Sequence, residues 1–298
     1  MRFALRLTAA AVAAAACRHG SSAAQQFDGR QALSWVEHQV AAGPRVPNTE
    51  AHRVIGDWLV AELRSRADTV EVQEFTHVTL DGDTLRLRNI IARFRPSDPT
   101  RILYVSHWDS RPMAEHDPNP ANRNRAIPGA NDGASSTALL LGVADALRRR
   151  PPPVGVDLLF TDGEDYGSDF SGPDVLLGAR HFARNLPPGY QPAFGVVWDM
   201  VGAPEQRFSQ EGYSLERAPE VVDRVWSRAR ELGLARWFPA TNGGAITDDH
   251  VPLLEAGLRV IDVIGYPYEH HHTLADTPDK VSAEALARVG RLALALIY

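Results

Sequence analysis

The chain has almost no cysteine. Cys17 is the only one among 298 residues, and it lies near the N-terminus. No disulfide can form within such a chain, so the fold must be stable through its buried core. The sequence also shows no Ser–His or Cys–His arrangement of the kind that supports nucleophilic catalysis.

Basic residues are not in excess either. The net charge is -6 and the isoelectric point is about 6.0, whereas nucleic-acid-binding proteins usually carry a basic surplus. We therefore expect no nucleic acid among the partners. With 44% hydrophobic and 23% charged residues, the composition is that of an ordinary globular protein, and the length suits one large α/β domain.

The N-terminal apolar run is too short to cross a bilayer. It covers residues 7–16 behind Arg2 and Arg6, which is the pattern of a secretory signal. We assign residues 1–24 to this signal and a short tail, and residues 25–298 to one folded domain. Cys17 resembles the lipidated cysteine of bacterial lipoproteins, but Ala14 stands where that motif usually has leucine. We expect an exported protein, either periplasmic or lipid-anchored to the cell envelope.

Continuous apolar runs alternate with helical patterns along the rest of the chain. Such runs fit strands buried on both faces of a parallel sheet, and the alternation places helices on both faces. The runs lie at residues 102–105, 154–160, 194–198 and 260–264, and the helical patterns at residues 25–40, 135–149, 175–185, 218–232 and 283–297. One more helix is expected after a cap at Asn48 or Thr49.

Two earlier segments predict an antiparallel edge for this sheet. Residues 69–75 alternate as a half-buried strand, Asp81 and Gly82 fit a turn, and residues 85–94 fit a second strand. The predicted fold is therefore a single α/β domain with a mostly parallel central sheet, an antiparallel edge and helices on both faces. Residues 111–128 are expected to form a polar loop at the rim of the functional site.

Acidic and histidine residues gather where the predicted parallel strands end. Ligands bind at this edge of parallel sheets, and carboxylates with imidazoles are what a hydrolytic zinc centre needs. The candidates are His107 and Asp109, Glu164 and Asp165, Asp199, Asp248 to His250, His270 to His272, and Asp132 at the start of a helix. So many such groups near strand ends are hard to explain as helix caps.

The motifs around these residues carry a family resemblance. They resemble, in order and spacing, those of the zinc aminopeptidase and glutaminyl cyclase superfamily, and the segments between them look most like bacterial glutaminyl-peptide cyclotransferases of the animal type. The matching motifs are His-Trp-Asp-Ser-Arg at 107–111, Gly-Ala-Asn-Asp-Gly-Ala-Ser at 129–135, Gly-Glu-Asp-Tyr-Gly at 163–167, Trp-Asp-Met-Val-Gly at 198–202, Thr-Asp-Asp-His at 247–250 and His-Thr-Leu-Ala-Asp-Thr at 272–277. The resemblance covers nearly everything from Gly43 onward and implies a zinc aminopeptidase-like fold.

The resemblance also implies residue roles. Asp132, Asp165 and His272 match the ligands of one catalytic zinc, with a fourth position open. Glu164 matches the general acid/base. The resemblance further implies that Asp199 and Asp248 hold the substrate amide, and that the two acids share a proton. The implied substrates are peptide or protein N-termini, and we expect a monomer.

An aminopeptidase with two zinc ions is the main alternative. His107 and Asp199 would then bind the second ion, with Asp132 bridging and Glu164 activating water. In the cyclase interpretation, His107 is instead a neutral core histidine bonded to Asp109, which we favour. A non-enzymatic surface binding protein on the same scaffold is a third possibility, and the intact Glu164 argues against it.

Other histidines and tryptophans receive structural interpretations. His270 and His271 are expected to face solvent, and His250 to fix its own loop. Trp108 and Trp198 are expected to pack under the site. Two departures from the family pattern stand out: His271 replaces a tryptophan that walls the substrate pocket of many cyclases, and Asp165 replaces a common glutamate.

Overall fold

One six-stranded sheet organises the protein in the computed structural model, which describes residues 27–168 and 170–298. The signal predicted at residues 1–24, with Cys17, lies outside the described residues. The strands are β1 (Thr69–Val78), β2 (Thr84–Phe94), β3 (Arg101–His107), β4 (Gly155–Thr161), β5 (Phe194–Asp199) and β6 (Val260–Ile264). Their order across the sheet is β1-β2-β4-β3-β5-β6.

The sheet is parallel at one side and antiparallel at the other, as the sequence predicts. Strands β4, β3, β5 and β6 run parallel, whereas β2 pairs antiparallel with both β1 and β4. The carboxyl ends of the parallel strands therefore meet at one edge. That edge brings together loops that are far apart in the chain.

Eight α-helices flank the sheet among the described residues. They are α1 (Gly29–Ala41), α2 (Glu50–Arg64), α3 (Ser136–Arg149), α4 (Leu177–Arg184), α5 (Gly212–Arg217), α6 (Pro219–Glu231), α7 (His250–Glu255) and α8 (Ala283–Ile297). Within residues 27–168 and 170–298, none of them combines the length and apolar character that a membrane span requires.

Each face of the sheet has its own hydrophobic core. Ile102 and Tyr104 of β3 belong to the larger core, which also receives residues from α1, α2, α3, α6 and α8. The alternate residues of the same strand, Leu103 and Val105, belong to a smaller core that includes Phe182 of α4 and Leu253 of α7. This alternation explains the continuous apolar runs, since both sides of each central strand are buried.

Capping residues set where the first helices begin. The first helix was predicted from residue 25, but α1 begins at Gly29 because the Asp28 carboxylate accepts hydrogen bonds from the backbone N–H groups of Arg30 and Gln31, both at 3.0 Å. Thr49 caps α2. The other candidate, Asn48, instead binds the backbone of β2 at two points.

Candidate active site

The predicted acids line one pocket of about 330 Å³ at the carboxyl edge of the sheet. Asp132, Glu164, Asp165, Asp199, Asp248 and His272 all contribute to its wall. A larger groove of about 970 Å³ lies between α2 and the β1–β2 hairpin, but none of these six residues borders it. We therefore place the chemistry at the smaller pocket.

A buried turn presents Asp132. Gly129 precedes the turn with a φ of 65°, and a Cβ there would lie 2.5 Å from the Asp132 carbonyl oxygen, so glycine is required. The Asp276 carboxylate accepts hydrogen bonds from the backbone N–H groups of Asn131 at 2.9 Å and Asp132 at 3.1 Å. Arg45, fully buried, donates to the Gly129 carbonyl at 2.7 Å. These contacts fix the direction of the Asp132 side chain.

A second turn, directly after β4, presents Glu164 and Asp165. The two oxygens of the Asp109 carboxylate accept hydrogen bonds from the backbone N–H groups of these two residues, each at 3.2 Å. The Arg111 guanidinium donates to Asp165 Oδ1 at 2.8 Å. Asp109 therefore positions the acid pair.

His272 lies between three carboxylates. Its Nδ1 donates to Glu115 Oε1 at 2.9 Å, while its Nε2 lies 3.4 Å from Asp165 Oδ1 and 3.6 Å from Asp132 Oδ2. Although burial alone would lower it, these carboxylates raise the pKa of His272 to about 10. The Nε2 atom therefore faces a strongly negative position that a divalent cation would neutralise.

The predicted ligand set fits a zinc ion. One ligand atom each from Asp132, Asp165 and His272 lies within 4.8 Å of the others, and tetrahedral zinc needs N and O ligands about 3.3 Å apart. Asp165 Oδ2 is buried and has no hydrogen-bond partner among the described residues. Such an orphaned carboxylate oxygen is costly unless a cation binds it.

A second candidate set shares Asp132. Atoms of His107, Asp132 and Asp199 also lie within 4.8 Å of one another. His107 Nε2 lies 3.1 Å from Asp199 Oδ1 and 3.3 Å from Asp132 Oδ1. The ring packs so closely on Gly133 that a Cβ there would lie 2.6 Å from it.

The structure places His107 beside Asp109 but without the expected hydrogen bond between them, and its neutral state stays a prediction. Among the described residues His107 Nδ1 makes no hydrogen bond and lies 3.5 Å from Asp109 Oδ1, while the two Asp109 oxygens accept from the backbone of the acid turn. Burial opposes the charged ring, but Asp109, Asp132 and Asp199 raise the pKa of His107 well above its ordinary value.

Burial raises the pKa of the three pocket acids outside the zinc-ligand set, Glu164, Asp199 and Asp248. It is the main cause of the rise for Glu164, whose pKa lies well above its ordinary value, with repulsion from Asp165 and Asp248 adding to it. Burial raises the pKa of Asp199 to about 7, with a further contribution from the charge of Asp248. The pKa of Asp248 is also raised by burial. An acid with a pKa near 7, such as Asp199, can take up and release a proton near neutral pH.

The loop at 247–250 places its two acids differently. Asp248 lines the pocket, whereas Asp249 accepts a hydrogen bond from the Thr161 hydroxyl at the end of β4. His250 is fully buried, and its Nε2 donates to Glu211 Oε2 at 3.0 Å. His250 therefore fixes its loop, in line with the sequence interpretation.

His271 does not face solvent as expected. It is half-buried, lines the pocket and stacks on His272 with the ring centres 3.6 Å apart. Tyr266 meets it edge-on at 5.4 Å. His270 is also only partly exposed. Trp108 and Trp198 are fully buried, in line with their expected packing role.

Several functional contacts escape sequence reasoning. Glu115, Arg45 and Asp276 touch the site from 63 to 157 positions away in the chain; Asp276 lies in the motif at 272–277, but its role was not assigned, and no local pattern marks Glu115 or Arg45. Glu115 belongs to the loop 111–128, whose expected place at the rim is correct. Its position between Arg111 and His272 becomes visible only in the folded protein.

The fold and these convergent groups define a metal-dependent enzyme of the α/β class. The model of peptidase family M28 matches residues 89–297, so this chain belongs to that family. Among solved structures, a glutaminyl cyclase of Tannerella forsythia superposes with a TM-score of 0.87 and 39% identity over 91% of this chain and 98% of that chain. A Zn-dependent exopeptidase from Parabacteroides distasonis gives a TM-score of 0.88 and 38% identity over 91% and 98%.

A curated relative points to the same part of the family. The glutaminyl-peptide cyclotransferase of Bos taurus is 28% identical over 261 residues, which cover 77% of this chain and 70% of the relative. The family and its zinc-dependent structural neighbour agree with the zinc fit of the ligand set. Both cyclases and exopeptidases are thus similar to this chain at high coverage.

Proposed function

We propose that this protein is a glutaminyl-peptide cyclotransferase that converts N-terminal glutamine of peptides to pyroglutamate and releases ammonia. One observation carries the proposal: Glu164, Asp199 and Asp248 line the same small pocket as the zinc-ligand set. That arrangement places one proton-transferring carboxylate and two carboxylates that can accept hydrogen bonds from the amide around the side chain of the substrate glutamine. The cyclase relatives support the assignment.

The reaction joins the α-amine of glutamine to its own γ-carbonyl carbon. Zinc held by Asp132, Asp165 and His272 would supply Lewis-acid polarisation of that carbonyl. Glu164 takes a proton from the attacking α-amine and returns it to the departing γ-amide nitrogen. The new C–N bond closes the lactam, the old one breaks, and ammonia leaves.

Two acids and one histidine hold the amide in place. A carboxylate accepts hydrogen bonds, so Asp199 and Asp248 suit the γ-amide N–H groups. Because its pKa is raised to about 7, Asp199 also fits the idea that the pair shares one proton. The His107 contact at 3.1 Å orients Asp199.

We propose one zinc per chain. His107 and Asp199 are direct hydrogen-bond partners, and that bond engages the atoms that a second ion would need. The alternative is a two-zinc aminopeptidase, and the triad of His107, Asp132 and Asp199 within 4.8 Å favours it. Export, lipid anchoring through Cys17 and a monomeric state remain predictions of the sequence.

Product analysis tests the function. A purified zinc-loaded sample is incubated with a Gln-initiated peptide and with the same peptide carrying N-terminal leucine. We expect ammonia and a product lighter by one ammonia from the first, and no change in the second. Free leucine without ammonia would establish the aminopeptidase instead.

A further inference from the structure

The loop 111–128 brings a third imidazole to the mouth of the pocket. His116 is exposed, and its ring centre lies 5.3 Å from those of both His271 and His272. One nitrogen from each of the three rings lies within 4.8 Å of the others. Neither the zinc-ligand set nor the proton chemistry uses His116.

His272 is already committed on both sides of its ring. Its Nδ1 donates to Glu115, and its Nε2 faces Asp132 and Asp165. Across residues 27–168 and 170–298, the rings of His116 and His271 make no hydrogen bond. Together they offer two nitrogen ligands directly outside the proposed catalytic zinc.

The backbone fixes this pair. The N–H of His116 donates to the His272 carbonyl at 3.2 Å, and the N–H of His271 donates to the Tyr268 carbonyl at 3.1 Å. These bonds hold the backbones of the two residues side by side, so that rotation of the side chains alone brings the two rings together. A pre-positioned pair of ligands loses little entropy when an ion binds.

We propose that His116 and His271 form a separate rim site for a transition-metal ion, and that an ion bound there blocks the pocket. Imidazole suits Zn²⁺, Ni²⁺ and Cu²⁺, and water completes the shell. His271 lines the pocket, so an ion on it stands in the path of a peptide N-terminus. Metal binding by His116 and His271 does not depend on the proposed function, whereas the predicted inhibition of peptide turnover rests on it.

The test starts from holoenzyme containing its tightly held zinc. Equilibrium dialysis against excess Zn²⁺ should show an additional, weaker ion in the wild type, with affinity lowered about tenfold or more in His116→Ala. Alanine keeps the backbone N–H that bonds His272. The exposed His38 on α1 does not line the pocket and gives the matched control His38→Ala, which should bind as the wild type does.

Kinetics and spectroscopy complete the test. Excess Zn²⁺ should raise the KM for a Gln-initiated peptide without lowering kcat in the wild type and in His38→Ala, and should have little effect in His116→Ala. With Cu²⁺ as the probe, electron paramagnetic resonance should show two coordinated nitrogens in the wild type and fewer in His116→Ala. Equal affinity of His116→Ala and wild type for the additional ion would overturn the proposal, whether or not the peptide is turned over.

Discussion

Glu164 and Asp165 are neighbours in the chain but have different surroundings. Asp165 is fixed by Arg111 at 2.8 Å and faces His272. Among the described residues, the basic group nearest the Glu164 carboxylate is His107, at 4.0 Å. One carboxylate is thus placed to bind metal and the other to move a proton. The residue types and order of this pair were predictable from the motif, but the role of Asp109 beneath it was not.

Replacing Glu164 by glutamine should stop proton transfer while leaving the zinc ligands intact. We expect Glu164→Gln to fold and to hold zinc, and to lose turnover by about 10²-fold or more, since general acid/base catalysis supplies that much. Steady-state kinetics with zinc analysis checks this. The exposed Glu255→Gln should behave as the wild type, and a variant at 164 that keeps normal turnover would show that another group is the base.

Glu115 should control zinc affinity through His272. Although burial raises it, hydrogen bonds from His272 and Arg111 lower the pKa of Glu115 to about 2, so it is a carboxylate at neutral pH. Glu115→Gln keeps the shape but removes the charge, and we expect zinc affinity to fall by about 10–100-fold. Competition with a chelator measures this. If Glu115→Gln binds zinc as tightly as the exposed control Glu269→Gln does, then Glu115 only packs against the His272 ring.

At the scale of elements, the buried strands and the longer helices were predictable, and the two shortest α-helices were not. Strands β3 to β6 and helices α3, α6 and α8 lie within about three residues of the predicted bounds, because their apolar patterns run over several turns or both sheet faces. Helices α5 and α7 have six residues each and are set by tertiary contacts. Glu211 shows how: its carboxylate caps α5 and binds the loop that carries Asp248.

The turn that presents Asp132 should depend on the guanidinium group of Arg45. Arg45 donates to the carbonyls of Trp108, Pro128 and Gly129, and lysine cannot reproduce this planar arrangement. We expect Arg45→Lys to lower the free energy of unfolding by about 1–3 kcal/mol and to weaken zinc binding. Chemical denaturation and zinc titration test both, with the exposed Arg30→Lys as control. A lower free energy of unfolding with unchanged zinc affinity would show that Arg45 does not act on the zinc site.

Glu211 should stabilise the folded protein at neutral pH, and this contribution should be lost in acid. Although burial alone would raise it, hydrogen bonds from His250, Ile246 and Ser214 lower its pKa to about 2. A carboxyl whose pKa falls on folding stabilises the protein above its unfolded pKa, about 4.3, and this contribution is lost as pH falls toward 2. The melting-temperature deficit of Glu211→Gln relative to wild type should therefore shrink over that window. A constant deficit, or one equal to that of exposed Glu216→Gln, would contradict this.

At the scale of the whole molecule, the parallel sheet collects groups from distant parts of the chain at one edge. The rule that ligands bind at the carboxyl ends of parallel strands predicted the edge where the acids gather, and the family resemblance selected the six pocket residues from the candidates there. The sequence could not predict that His271 turns inward, because this depends on stacking against His272 and on Tyr266. It could not predict His116 at the rim either, since the contact joins loops more than 150 positions apart in sequence.

In the proposed reaction the α-amine of the substrate, and not water, attacks the carbonyl. Turnover of a Gln-initiated peptide in H₂¹⁸O, followed by mass spectrometry of the product, tests this directly. Attack by the α-amine predicts a pyroglutamyl peptide without ¹⁸O, because the lactam keeps the original γ-carbonyl oxygen and no water enters. A product that carries one ¹⁸O atom, in a new γ-carboxylate or at a cleaved peptide bond, would contradict it and show that Glu164 activates water.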